Sequence, residues 1–228
     1  MIVSNIKKGM NTSPALKAYN EVCRWIDANK MMISVNKCNQ MFISLRDVPY
    51  IRDFSIPDVT IVEELRFLGV IFDSRFKWHS HVLKVSKRAA SRIFIIKQLK
   101  PLLDKHDLVL IYNNCIRSIL EYAAPLFAGL NSSNAAILEN VQNYCHRIIC
   151  GTSRCSCSHF VPLFYRRVII GLKLFDSLVN NADHPLHHLR PRVLQHSGMF
   201  CMPACNSVIQ STFFMVTMIR LSNSGFPH

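Results

Sequence analysis

The sequence predicts an α+β protein in which a small segment containing short strands precedes a mainly α-helical bundle. Runs of β-prone residues end at Phe72, and from Lys77 onward apolar residues recur at the three- and four-residue spacing of helices. Half of the 228 residues are hydrophobic, so the chain can bury a substantial core. We predict three parts, namely residues 1–76, a helical domain at residues 77–180 and an irregular tail at residues 181–228.

The first element is predicted to be a helix that ends near Asn29. Ser13 is suited to cap its start, and Pro14 is suited to the first helical position. Apolar residues then recur at helical spacing as far as Ile26.

Three β-prone runs follow this helix. Met32-Ile33 and Met41–Ile43 flank a polar turn that contains Lys37, which predicts a small hairpin within residues 29–45. A stronger run, Leu65–Phe72, predicts a core strand.

Four helices are predicted in the helical domain, from apolar stripes that end at proline, glycine or asparagine. The stripe of the first helix is Val82, Val85, Ala89, Ile93 and Ile96, and that of the second is Leu108, Tyr112, Cys115, Ile119 and Tyr122. The third helix, with the stripe Ile137/Leu138, Val141, Cys145 and Ile148, is predicted to begin at a cap formed by Ser132 or Ser133 and to end at Gly151. The fourth helix is predicted to run from Phe164 to Asn180.

The charge of the chain is strongly positive and unevenly distributed. Lysine and arginine number 27 against 14 acidic residues, a net charge of +13, and residues 77–228 hold 17 of the basic and 6 of the acidic side chains. Such an excess favours polyanionic partners. We therefore expect the second part of the chain to carry the binding surface.

A basic face lies opposite the apolar stripe of the first bundle helix. Its members are Lys77, Lys84, Lys87, Arg88 and Arg92, and Arg166 and Arg167 are candidates to extend it. No carboxylate occurs between Asp73 and Asp104, so the neighbours that usually neutralise such a face are missing. We interpret the face as a phosphate-binding surface, and the alternative is an ordinary solvated helix face.

No complete enzyme site is visible in the sequence. A glycine-rich phosphate loop, a G-x-S-x-G motif and an H-E-x-x-H motif are all absent. The segment CHRIICGTSRCSCSH, residues 145–159, is rich in potential metal ligands but lacks the two compact ligand pairs of structural zinc sites. We favour reduced cysteines in a loop and assign no metal ligand.

Cysteine usage and hydropathy bear on the compartment. Nine cysteines in a chain of this length, with no stretch that resembles a secretory signal, predict a reduced intracellular protein, either nuclear or cytoplasmic. The longest apolar-rich window, SVIQSTFFMVTMIRL, is shorter than a membrane span, so no membrane partner is expected.

Four segments of the chain, in order, resemble the C-terminal half of a non-LTR retrotransposon reverse transcriptase, which is an RNA-directed DNA polymerase. They are EVCRWIDANKMMISVNKC with QMFIS, then ELRFLGVIFDSRFKWHSHV, then IYNNCIRSILEYAAPLF, then LENVQNYCHRIICG. Their order and spacing carry the resemblance, which spans residues 16–192. It implies that residues 1–76 are the end of a polymerase palm and that residues 77–180 form a thumb that holds a template–primer duplex.

The resemblance also implies roles for single residues. Lys37 matches a lysine suspected of assisting nucleotide addition, where it would stabilise the pyrophosphate leaving group. RFLGVIFD matches the primer grip, a hairpin that holds the end of the growing strand. Phe67, Leu68, Val70 and Phe72 are expected to anchor the strand, and Gly69 to allow close approach of another backbone. The alternative is a core strand with a glycine bulge at Gly69. Asp73, after this strand, is expected in a turn or cap.

The catalytic aspartates of the family, which bind two magnesium ions, have no counterpart in the sequence, since residues 1–14 contain no acidic residue. We therefore expect a truncated family member that cannot polymerise alone. We expect it to bind no cofactor itself, because Mg²⁺ is the cofactor of the complete family enzyme. The expected partner is RNA–DNA or double-stranded nucleic acid. Whether a separate protein chain supplies the missing part of the palm is unknown. Two alternatives stay open, namely a non-catalytic basic nucleic-acid-binding module and a non-functional gene fragment.

Overall fold

The computed structural model describes residue 2 and residues 13–44, 54–151, 160–205 and 214–225. The chain divides into two compact units, Met1–Lys77 and Trp78–His228. The described residues combine helices with two short two-stranded sheets, which confirms the α+β class.

The first unit begins with helix α1, Pro14–Ala28. As predicted, Ser13 is the N-cap, and its Oγ accepts a hydrogen bond from the backbone N–H of Leu16 at 3.4 Å. No residue of α1 is buried, and Trp25 is 60% exposed. The apolar face of α1 is therefore only partly covered by the described residues.

The predicted hairpin within residues 29–45 is wrong for the described part, residues 29–44. Lys37 ends a 3₁₀ turn, Val35–Lys37, and strand β1, Asn39–Gln40, pairs in parallel with β2, Thr60–Ile61. The side chain of Gln40 explains this pairing.

Gln40 binds three backbone groups of a distant loop. Its Nε2 donates to the carbonyl oxygens of Ile56 and Val59 at 3.0 and 2.6 Å, and its Oε1 accepts from Ile56 N–H at 2.8 Å. These bonds satisfy partly buried backbone groups and bring the loop before β2 to β1. A local β-hairpin offers no such partner for this amide.

The run Leu65–Phe72, predicted from its residues alone to be a single strand, is an antiparallel hairpin, which is the form that the resemblance to a primer grip implies. Strands β3, Glu64–Phe67, and β4, Val70–Asp73, are joined by a two-residue turn, Leu68-Gly69. Both turn residues have positive φ, 47° and 83°, which is the type I′ geometry that matches the twist of a hairpin. Gly69 is thus a turn residue and not a bulge.

Asp73 occupies the turn that was predicted for it. Its Oδ1 accepts hydrogen bonds from the backbone N–H groups of Arg75 and Lys77 at 3.1 and 2.9 Å. The carboxylate therefore stabilises the backbone after β4.

The second unit is helical. Its elements are α2, His79–Leu99; α3, Lys105–Tyr112; a π-helical turn, Asn113–Arg117; α4, Ser118–Leu120; a 3₁₀ turn, Ala124–Phe127; α5, Ser132–Cys150; α6, Leu163–Asn180; and α7, Phe214–Asn223.

Helix α2 packs against α5 and against the segment from α3 to α4. Four members of its predicted stripe are buried and Val85 is partly buried, which confirms the inward face of α2. The buried members are Val82, Ala89, Ile93 and Ile96.

The second predicted stripe is displaced by the π-helical turn. Ile116 and Leu120 are buried after Tyr112, in place of the predicted Cys115 and Ile119. A π turn accommodates one extra residue, so the inward positions advance by one.

A polar network joins these helices inside the core. Tyr112 Oη donates to Gln142 Oε1 at 2.7 Å, and Gln142 Nε2 donates to the Val161 carbonyl at 3.0 Å and to Glu139 Oε1 at 3.1 Å. Glu139 Oε2 accepts from the backbone N–H of Leu163, the first residue of α6, at 3.0 Å. Burial raises the pKa of Tyr112, which keeps its hydroxyl protonated as a donor. The network therefore positions the start of α6.

Helix α5 ends as predicted and begins with a different cap. Gly151 follows its last turn with φ of 79°, a conformation that favours glycine. The N-cap is Asn131, whose Oδ1 accepts from Asn134 N–H at 2.8 Å, and not Ser132 or Ser133.

The predicted irregular tail is wrong over α7, Phe214–Asn223, which packs on α6. Val216, Met218 and Ile219 are buried there. Gly171 of α6 makes room for this contact, because a Cβ at that position would lie 2.8 Å from Met218 Sδ.

Candidate nucleic-acid interface

The outer face of α2 presents four cations to solvent. Lys84, Lys87, Arg88 and Arg92 are all exposed, opposite the buried stripe. At 1.5 Å per residue, the eight steps from Lys84 to Arg92 span about 12 Å. With one phosphate per ~3.4 Å along each strand of a duplex, the face can follow about three phosphate steps.

Among the described residues, no carboxylate neutralises this face. In the described part of the second unit, neither an ion pair nor a hydrogen bond involves the charged groups of these four side chains. The ion pairs found there lie elsewhere and share Glu121. The four cations are therefore available to an external anion.

His81, near the start of α2, adds little charge to this face. The ring of His81 is buried and stacks on Phe127 with a centroid distance of 4.9 Å. Burial, and then the nearby charge of Lys84, lowers the pKa of His81, so its ring is neutral at pH 7. The cationic character of the outer face thus comes from lysine and arginine.

Lys77 is exposed but is not on the helical face. It precedes the first residue of α2 and belongs to the first unit. Its backbone N–H donates to Asp73, so its backbone is part of the turn after β4.

The prediction that Arg166 and Arg167 extend the basic surface is wrong. Arg166 is paired with Glu121 through two hydrogen bonds, Nε to Oε1 and Nη2 to Oε2, the second at 3.0 Å. The hydrogen bond to Glu121 raises the pKa of Arg166. Arg167 is 1% exposed, and burial lowers the pKa of its guanidinium. Arg166 is thus neutralised by Glu121, and Arg167 is enclosed by protein.

The primer-grip candidates lie at the end of the β3–β4 hairpin. Phe67 is half-buried, whereas Leu68 is 73% exposed and Gly69 is exposed in the turn. Contrary to the prediction, Leu68 therefore does not anchor the strand, whereas the predicted anchor Val70 is buried beside the turn. The hairpin tip therefore exposes an apolar side chain.

Lys37 is exposed at the end of its 3₁₀ turn. Its backbone N–H donates to the carbonyl of Ser34 at 2.9 Å. The structure thus leaves its ammonium group at the surface, and a role in nucleotide addition stays a prediction.

A second group of side chains at the α2–α5 contact was not predicted from the sequence. The Nζ of Lys97 lies 5.2 Å from the ring centroid of Tyr144, and the guanidinium carbon of Arg147 lies 5.7 Å from the same centroid. Tyr144 is 40% exposed, and Phe94 on α2 is 63% exposed. The three-residue spacing of Tyr144 and Arg147 on α5 could have indicated their contact from the sequence. The approach of Lys97 could not have been predicted, because it depends on how α2 packs against α5.

Metal ligation finds no support in the described part of the Cys/His segment. Cys145 is fully buried, and burial raises the pKa of its thiol to about 12, which disfavours the thiolate that a metal needs. Throughout the described residues, no three His, Cys, Asp or Glu side chains are grouped so that they could hold a metal ion. Cys155, Cys157 and His159 lie outside the described residues.

Among the described helices, none combines the length and the apolar character that a membrane crossing requires. No protein-family model, no curated protein and no solved structure matches this chain.

Proposed function

We propose that this chain binds nucleic acid duplexes, RNA–DNA or double-stranded, through the outer face of α2. The observation that carries the proposal is the set of four exposed cations on one helical face, with no carboxylate partner in the described residues. Such a face neutralises phosphates and releases the counterions condensed on them. Since phosphate contacts carry no sequence information, the binding is expected to be independent of sequence.

The family resemblance supports a finer proposal, that the chain is part of a non-LTR reverse transcriptase and that its helical unit acts as a thumb. In this proposal the hairpin tip around Leu68 is a primer grip, and Lys37 assists nucleotide addition in an assembly that also contains the palm. The partly exposed apolar face of α1 fits this proposal, because a palm remnant would keep a face suited to packing against the rest of the palm.

Polymerisation is not expected from these 228 residues alone, because the sequence offers no adjacent pair of aspartates to hold two magnesium ions. A primer-extension assay on an RNA template with Mg²⁺ tests this directly. Extension of the primer by the purified chain would contradict the proposal.

The duplex-binding proposal is tested by a variant of the outer face, K84Q/K87Q/R88Q/R92Q. Fluorescence anisotropy with a blunt RNA–DNA hybrid measures the affinity at low salt. We expect the variant to bind at least about tenfold more weakly, since each lost phosphate contact removes one released counterion.

A matched control removes the same number of charges from exposed positions elsewhere. The control substitutions are K17Q, R24Q, K173Q and R220Q. We expect the control to keep most of the affinity because these cations are distant in sequence from the α2 face and lie on other helices. Equal losses in the two variants would show that only net charge matters and would refute the assignment to α2.

A further inference from the structure

Two exposed aromatic rings lie beside the basic face of α2. We call the group formed by Phe94, Lys97, Tyr144 and Arg147 the aromatic patch. Phe94 and Lys97 come from α2, and Tyr144 and Arg147 come from α5, which packs against it. The patch thus combines two aromatic side chains with two exposed cations at a contact between rigid helices.

Tyr144 is held in place by its cations. Lys97 Nζ and the Arg147 guanidinium carbon lie 5.2 and 5.7 Å from its ring centroid, within the range of cation–π attraction. This arrangement accounts for the position of Tyr144 within the fold, and it fixes two positive charges beside the ring.

No comparable contact within the described residues accounts for the exposed position of Phe94. It is 63% exposed, and within the described residues it contacts neither another ring nor a cation at cation–π distance. Ala90 and Ser91, one turn before it, are small and leave its ring face open, because helical side chains lean towards the preceding turn. A large exposed ring with an open face can receive a flat apolar partner.

The patch continues the basic face of α2. Phe94 follows Lys87 by seven residues, close to two helical turns, and precedes Lys97 by three. A strand whose phosphates contact Lys87 can therefore reach Phe94 within about 10 Å along the helix axis.

We propose that the aromatic patch binds unpaired bases of single-stranded nucleic acid that continues from the bound duplex. Phe94 stacks on a base, while Lys97 and Arg147 contact the phosphates that flank it. This inference rests on the proposed duplex binding and specifies a second nucleic acid class, the single strand. Cations explain attraction to any polyanion, but an exposed ring beside them selects one that carries flat π faces, so a nucleic acid is favoured over an acidic peptide.

The experiment compares three ligands by fluorescence anisotropy on the full chain. They are a blunt RNA–DNA hybrid, the same hybrid with a single-stranded tail of about six nucleotides, and the same tail made of abasic nucleotides. We expect the tail with bases to bind about 5- to 20-fold more tightly than the blunt hybrid, and the abasic tail to give less than half of this gain.

Variants then assign the gain to Phe94. Phe94→Ala is expected to abolish the advantage of bases over abasic tail while blunt hybrid binding stays within about twofold, and Phe94→Trp is expected to restore it because indole keeps a stacking face. Phe94 is mostly exposed, so both variants should fold, and a cooperative thermal transition checks this.

The outcomes separate the two proposals. Failure of the wild-type chain to bind the blunt hybrid refutes the proposed function. Normal binding of the blunt hybrid, with equal affinity for tails with and without bases or an unchanged gain in Phe94→Ala, refutes the aromatic patch alone. A last comparison displaces the tailed hybrid with a polyglutamate peptide and with a single-stranded oligonucleotide. Equally effective displacement by the two would show that the patch recognises charge alone, and it would refute the proposed base binding.

Discussion

Replacement of the buried Arg167 by methionine should stabilise the second unit. Arg167 is 1% exposed, and its Nε and Nη1 have no hydrogen-bond partner within the described residues. A buried polar group without a partner costs about 1–3 kcal/mol, so two such nitrogens cost about 2–6 kcal/mol. Attraction to Glu139 and Glu121 offsets part of this cost. Since methionine fills a similar volume and favours helix, we expect Arg167→Met to raise the free energy of unfolding by about 1–4 kcal/mol.

The assay is equilibrium unfolding in urea, followed by circular dichroism, with the neighbouring residue as the control. Arg166→Met breaks the bidentate pair with Glu121 and is expected to lower the free energy of unfolding by about 1–2 kcal/mol. The adjacent arginines should therefore respond in opposite directions. A loss of more than about 1 kcal/mol in Arg167→Met would refute the reasoning, because it would mean that the guanidinium is well satisfied in the folded protein.

Three further predictions concern single positions. Leu68→Asn should stabilise the β3–β4 hairpin by about 1 kcal/mol in urea unfolding, since asparagine tolerates the positive φ of this turn better than leucine; no change would argue against the type I′ turn. Gly171→Val should lower stability by about 1–3 kcal/mol by forcing Met218 away from α6, and an increase would argue against that contact. Burial raises the pKa of the Cys145 thiol to about 12, from about 8.5 in the unfolded chain. The thiol therefore contributes its full stabilisation below about pH 8.5, and this contribution is lost as the pH rises towards 12, by at most ~1.4 kcal/mol per pH unit. Alkaline unfolding of Cys145→Ala should accordingly show a shallower slope, and an equal slope would contradict the burial of this thiol.

Helical periodicity predicted the elements whose signal is local. The stripe of α2 from Val82 to Ile96 and the end of α5 at Gly151 depend on spacing and on one backbone conformation, and the structure has both. Exposure of Lys84, Lys87, Arg88 and Arg92 followed from the same pattern, because cations opposite a buried stripe face solvent.

Features that depend on distant residues could not be predicted in this way. The pairing of β1 with β2 requires Gln40 to find the carbonyls of Ile56 and Val59, which no local pattern encodes. Similarly, Arg167 reads in the sequence as a surface cation beside Arg166, and only the packing of α6 shows that it is buried. The turn at Leu68 was missed because leucine is an unusual residue at a position with positive φ.

The aromatic patch illustrates both cases. The exposed position of Phe94 follows from its place outside the stripe of α2, whereas the meeting of Lys97 with Tyr144 depends on how α2 packs against α5. A sequence pattern can therefore suggest which face is basic, but it does not show which aromatic residue from another helix joins that face.

The salt dependence of duplex binding tests the central claim, that the outer face of α2 neutralises phosphates, most directly. The slope of log affinity against log salt concentration falls by about 0.9 for each phosphate contact removed from a B-form duplex. We expect K84Q/K87Q/R88Q/R92Q to reduce the magnitude of this slope by about 3 to 4 on double-stranded DNA, while K17Q/R24Q/K173Q/R220Q changes it by less than about 1. An unchanged slope in the α2 variant, or an equal reduction in the control, would contradict the account.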